Sequence, residues 1–149
     1  MIHISRNALL PYPVQQIFEL INDVSAYPQY MEGCTGAEVI RRQEDFMEAR
    51  LDLSKAGLKY SFTTHNRLEP PHAVIMELVD GPFSDFAGRW QLTPLGDSAC
   101  KVSLDLHFKL KHKVLGKAAK VLFKPMADNL VDALVTRAHH LHRPAPASG

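Results

Sequence analysis

Cys100-Lys-Val-Ser-Leu-Asp-Leu-His-Phe-Lys-Leu-Lys111 alternates without a miss. Cys100, Val102, Leu104, Leu106, Phe108 and Leu110 fall on one side, and Lys101, Ser103, Asp105, His107, Lys109 and Lys111 on the other. Period two over that length is a strand with one buried and one wet face. Residues 114–142 follow with apolar side chains at steps of three or four: Leu115, Ala119, Leu122, Met126, Leu130, Leu134, Ala138 and Leu141. That spacing predicts a helix with one apolar face. A long helix laid across a curved antiparallel sheet encloses apolar space, so this pair of elements predicts a container rather than a catalyst.

Working outward, residues 2–10 read as a first strand ending at Pro11, and Pro13 suits the first turn of a helix. Val14, Ile17, Phe18 and Ile21 mark one face of that helix, which ends before Pro28. A second helical turn is expected over 27–31, before the Gly33–Gly36 break. Strands are expected over 37–42, 46–54, 58–68, 73–79 and 83–93, separated by turn residues such as Asp80-Gly-Pro82 and Leu95-Gly-Asp-Ser98. Strands joined by such short turns run antiparallel. The order predicts an α+β fold: a curved seven-stranded antiparallel sheet wrapped around the C-terminal helix. Pro125 predicts either a kink or break near 122–124 or a helix that starts close to the proline.

The 149 residues suffice for one domain, expected over 1–142, with a loose Pro-rich tail over 143–149. Cys34 and Cys100 form no CxxC and read as two reduced thiols. The N-terminus has no apolar signal core and no stretch reaches membrane-span length, which predicts a cytoplasmic protein. A net charge of +1 neither demands nor excludes a nucleic-acid partner, so the distribution of charge decides.

Arg6-x-Ala-Leu-x-Pro-Tyr12, Asn22-Asp-Val24, Tyr27-Pro-Gln-Tyr30, Gly33-Cys-Thr-Gly36, Ser54-Lys-Ala-Gly57, Phe62-Thr-Thr64, Leu78-Val-Asp-Gly-Pro-Phe83 and Gly88-x-Trp90 stand in order along the chain. Together they resemble the RatA and coenzyme Q-binding protein family of the START-like (polyketide cyclase, SRPBCC) superfamily. The resemblance implies the helix-grip fold and two functions. The coenzyme Q branch binds ubiquinone and supports respiration. The RatA branch is a toxin that binds the large ribosomal subunit and inhibits 70S subunit association. Met31-Glu32 departs from the family, standing where an apolar residue followed by proline is expected.

Tyr27, Tyr30, Tyr60, Phe62, Phe83, Phe86, Trp90, Phe108 and Phe123 fall on or near the inward face, joined by Met31, Leu53, Leu122, Met126 and Leu130 as the expected ligand wall. Such residues usually form plain core, and the container reading needs some of them to line a void. Pockets of ~300–1,000 Å³ are typical, which suits a quinone head and a few isoprene units. The tail would leave between the 27–36 loop and the C-terminal helix. Tyr27, Tyr30 and Trp90 are the expected donors to quinone oxygens.

Three further features bear on function. Lys109, Lys111, Lys113, Lys117, Lys120 and Lys124 occupy 106–127 with no acidic residue among them. This basic ridge reads as solvated surface, as a contact for an anionic membrane surface, or as a contact for ribosomal RNA; no DNA partner is expected. Glu77 shares parity with Ala73 and Ile75 and is the best interior carboxylate for a cyclase-like activity, although a rim charge is the simpler role. His139, His140 and His142 read as helix-end histidines favoured by the dipole, so no metal site and no cofactor are expected.

Overall fold

A computed structural model describes residues 2–55, 57–111 and 117–142, with side chains from 123 onward in the last segment. Strand β1 (Ile2–Leu10) leads to helix α1 (Val14–Asn22) and a 3-10 segment (Val24–Gln29). Six strands follow: β2 (Cys34–Arg42), β3 (Phe46–Lys55), β4 (Leu58–Glu69), β5 (Ala73–Asp80), β6 (Phe83–Pro94) and β7 (Cys100–Leu110). Helix α2 (Lys117–His142) closes the described chain.

The seven strands form one sheet in the order β1-β7-β6-β5-β4-β3-β2, with every neighbouring pair antiparallel. This is the helix-grip fold. Short turns dictate the β2-to-β7 meander, and only β1 reaches its neighbour over a long sequence separation. The alternation read from β7 holds along the strand, with Cys100, Val102, Leu104, Leu106, Phe108 and Leu110 all buried. Strand β5 is central, as its apolar composition predicts.

Several boundaries and faces differ from the sequence reading. The second helical turn comes earlier, because Val24, Ala26 and Tyr27 bury against the core and draw 24–29 into a 3-10 turn that tolerates Pro28. Strand β2 begins at Cys34, inside the expected Gly33–Gly36 break. Helix α2 runs from Lys117 through Pro125 without interruption, at the loss of one hydrogen bond to a carbonyl in the preceding turn. Its buried stripe is Phe123, Ala127, Val131, Leu134 and Ala138, whereas Leu141 is 47% exposed. The expected stripe steps mostly by four, which drifts by about 40° each time on a helix of ~3.6 residues per turn. Leu115, Lys113 and the tail 143–149 lie outside the described residues, as do the side chains of Lys117, Ala119, Lys120 and Leu122.

Candidate functional site

The concave face of the sheet meets α2 and the 3-10 segment around an apolar cavity of about 110 Å³. Strand β3 contributes Ala49, Leu51 and Leu53, strand β4 Phe62, Thr64 and Asn66, and strand β5 Met76. Phe83, Phe86 and Trp90 come from β6, Leu106 and Phe108 from β7, and Phe123, Met126, Ala127 and Leu130 from α2. Val24, Tyr27, Met31 and Cys34 complete the wall. Alternation aims these strand residues inward: on β4, for example, Phe62, Thr64 and Asn66 share parity with buried Leu68.

The aromatic part of the wall is an interlocked set. Phe83 lies 5.1 Å from Phe123, 5.3 Å from Phe86, 5.5 Å from Phe62 and 5.6 Å from Phe108, centroid to centroid. Edge and tilted contacts of this kind fix the rings without stacking them. Gly81 is required here, because a Cβ at that position would sit 2.6 Å from Cβ of Phe62.

A second, larger concavity of about 510 Å³ opens between the 3-10 segment, the 30–33 loop and α2. Its floor and rim include Tyr30, Glu32, Gly33, Lys55, Pro125, Asn129, Thr136, Arg137 and His140. Met31, Met126 and Leu130 line both spaces, so they form the partition between cavity and groove. Gly33 (φ 86°) brings the loop against this partition: a Cβ there would lie 3.4 Å from Cε of Met126. Two thioether side chains make a pliable partition.

Of the side chains expected on the ligand wall, Tyr27, Met31, Leu53, Phe62, Phe83, Phe86, Trp90, Phe108, Phe123, Met126 and Leu130 line the cavity. Tyr30 lines the groove instead. Tyr60 is not among the lining residues, and its ring packs 5.4 Å from that of Phe123. The side chain of Leu122 lies outside the described residues. This cavity is smaller than the ~300–1,000 Å³ typical of ligand pockets, because the phenylalanine cluster and Trp90 fill much of the space.

The polar chemistry of the site also differs from the expectation. The Tyr27 hydroxyl donates to the Ile21 carbonyl, so it anchors the 3-10 segment and is engaged within the protein. Burial pushes its ionisation well up, helped by nearby Tyr30 and Asp23. Tyr30 Oη is buried without a hydrogen-bond partner among the described residues, and burial likewise raises its pKa. Thr64 and Asn66, which the sequence reading passed over, are buried polar residues on the cavity wall. Asn66 Oδ1 has no partner among the described residues. The signal was available, since the parity of Leu58, Tyr60 and Phe62 continues to 64 and 66.

Glu77 is exposed, because the inward parity of β5 belongs to Val74, Met76 and Leu78. Among the described residues, the cavity wall holds no carboxylate, histidine, lysine or arginine. His139 Nδ1 lies 2.7 Å from the Tyr12 hydroxyl and so ties α2 to the turn between β1 and α1, a specific contact beyond a dipole effect. On the basic ridge, Lys109 and Lys111 are exposed, and Lys124 Nζ lies 3.6 Å from Asp128 Oδ2. Asp128 also accepts from Arg6 at 3.0 Å, so the charge of Lys124 is partly offset. No described helix is long and apolar enough to cross a membrane.

Residues 10–135 match the family described as polyketide cyclase / dehydrase and lipid transport. The ribosome association toxin RatA of Escherichia coli K12 is 41% identical over 142 residues, 95% of this chain and 90% of that protein. The mitochondrial coenzyme Q-binding protein COQ10 of Drosophila melanogaster is 24% identical over 135 residues, 88% of this chain and 56% of that longer protein. A START superfamily protein from Mycobacterium smegmatis superposes with a TM-score of 0.75 at 24% identity, covering 93% of this chain and 98% of its own. The Zhui aromatase/cyclase from Streptomyces sp. R1128 superposes with a TM-score of 0.67 at 19% identity, covering 91% and 85%. These two likenesses speak to fold alone, while the extended match to RatA speaks to family. The chain belongs to the polyketide cyclase / dehydrase and lipid transport family, and within it to the group of the ribosome association toxin RatA.

Proposed function

We propose that the protein is a non-enzymatic carrier or chaperone for a hydrophobic ligand with a compact ring and a long tail, best matched by a polyprenyl quinone such as ubiquinone. The observation that carries this reading is the shared wall of cavity and groove at Met31, Met126 and Leu130. An apolar cavity of ~150 Å³ holds one benzene ring; the cavity of about 110 Å³ is on that scale once its methionines give way. The groove of about 510 Å³ then offers a track for the tail. Thr64 and Asn66 are polar groups on the wall within reach of a ring head, and they take the donor role first expected of Tyr27. The two titratable groups on the described cavity wall, Tyr27 and Cys34, are both held protonated by burial, which favours carriage over a cyclase-like reaction.

A second reading is ribosome association through the basic ridge, supported by the 41% identity to RatA. Lysines contacting phosphates would make such binding fall steeply with salt. One experiment separates the two. The protein is expressed in a bacterial host, purified gently and extracted with organic solvent for mass spectrometry, and a parallel lysate is sedimented in low salt. A quinone approaching one per chain supports carriage. An empty protein that co-sediments with large subunits, and loses this on charge reversal of Lys113, Lys117 and Lys120, supports the second reading and defeats the first.

A further inference from the structure

We propose that the outer face of the β1–β7 pair carries a divalent transition-metal site made by His3, Asp105 and His107, with zinc as the cation it suits best. The site lies on the opposite face of the sheet from the cavity and is independent of the carrier reading.

The backbone register builds it. His3 is directly paired with His107, and Ser5 with Asp105, across the antiparallel β1–β7 ladder. Side chains directly opposite each other have Cβ atoms ~4.5–5.5 Å apart, and Asp105 projects on the same face two residues from His107. The intervening Leu104, Leu106 and Phe108 are buried, so this face is the outer one. His3 Nε2 lies 2.7 Å from Asp105 Oδ1, and His107 Nε2 lies 3.2 Å from the same oxygen. The two imidazoles stack with centroids 4.1 Å apart and planes 12° from parallel. All three donor atoms fall within 4.8 Å of one another.

That arrangement offers a cation two imidazole nitrogens and one carboxylate oxygen on a single face. Imidazole nitrogen and carboxylate oxygen are common zinc ligands, and three protein ligands plus water is a familiar open coordination. Ligands ~2.0–2.2 Å from a tetrahedral ion sit roughly 3.3 Å apart, so small side-chain rotations suffice. Neighbouring charge permits it. Arg89 is the register partner of Asp105 on β6 but makes no ion pair with it among the described residues, and the register partner of His107 is the small Ala87. Lys109, next on this face, has Asp85 as its register partner. A bound ion would staple the edge strand β1 to β7.

The test uses tag-free protein stripped with chelator, titrated with zinc chloride by calorimetry and with cobalt(II) by its visible absorption. One equivalent is expected, with a thermal midpoint that climbs as zinc is added. A direct ligand matters at least as much as an outer-shell partner, so His3→Gln and His107→Gln should each weaken binding ~10-fold or more. The same variants should lose the zinc-dependent thermal shift, and His72→Gln should keep both. These positions are substantially exposed, so the variants are expected to fold. Failure of the wild-type protein to take up either metal, or binding that both histidine variants leave unchanged, overturns the proposal.

Discussion

The guanidinium of Arg137 lies over the ring of Tyr30, 5.1 Å from its centroid, and Nη2 of the same group donates to Gln29 Oε1 at 3.2 Å. One side chain of α2 thereby holds the 3-10 segment and the loop after it across the mouth of the groove. Arg137→Ala should cost ~0.5–2 kcal/mol, the range for a cation–π contact from exposed to desolvated settings. Denaturant unfolding would measure the loss, and amide exchange should rise at 29–33. Arg137→Lys should recover only part, because an ammonium lacks the planar face that stacks on the phenol. Unchanged exchange at 29–33 would show that Tyr30 is held by other contacts.

Ala49 is buried and lines the cavity. Ala49→Leu puts three more carbons into that space. Overpacking a core costs ~1–3 kcal/mol, but a pre-existing void should keep the loss near the lower end. Ligand recovered by native extraction should drop severalfold while the circular dichroism stays native. Full retention of ligand would mean that the ring sits elsewhere.

Asn66 Oδ1 is buried without a partner among the described residues. An unsatisfied buried polar group costs ~1–3 kcal/mol, so Asn66→Leu should stabilise the empty protein by about 1 kcal/mol. The same change also removes the amide N–H that would donate to a quinone oxygen, so quinone retention should fall. Opposite movements of thermal midpoint and ligand content are the signature to look for. A variant that binds as well as the wild type would remove Asn66 from recognition.

Burial raises the ionisation of Cys34 and Cys100 above their ordinary value of 9.0 and that of Tyr27 and Tyr30 above 10.0. In the unfolded chain these groups lose protons first. Their contribution to stability is therefore intact below about pH 9 and lost progressively as the pH rises toward the folded-state values. Denaturant midpoints measured from pH 8 to 11 should fall above pH 9, and Cys34→Ala should blunt the first part of the fall. A flat profile would contradict the burial of these four groups.

The β-rich frame was legible because polar turns punctuate apolar alternation at nearly every strand boundary. The face of β5 was harder. Ala73 and Val74 are both buried at its start, so parity counted from Ala73 made Glu77 an interior candidate, whereas the core face belongs to Val74 and Met76 and Glu77 is exposed, as its simpler role as a rim charge requires. Thr64 and Asn66 were missed for a related reason: polarity suggests the wet face even where the pleat turns a residue inward. The drift of Leu141 off the buried side of α2 is a geometric effect that steps of four conceal. The cavity's size depends on how Phe62, Phe83, Phe86 and Phe123 tilt against one another, and their linear spacing does not encode those tilts.

The position of β1 beside β7 has a consequence for biosynthesis. The Leu10–Cys100 pair that opens this ladder closes a loop of some ninety residues, so β1 leaves a ribosome well before the partner it needs and must wait for it. At ~5–20 residues per second that wait is roughly 5–20 s. Through it, β2 to β6 can assemble by neighbouring hairpins while β1 has no ladder partner. Completion of the sheet is then timed by the emergence of β7, and the nascent chain is most exposed to wrong pairing just before it.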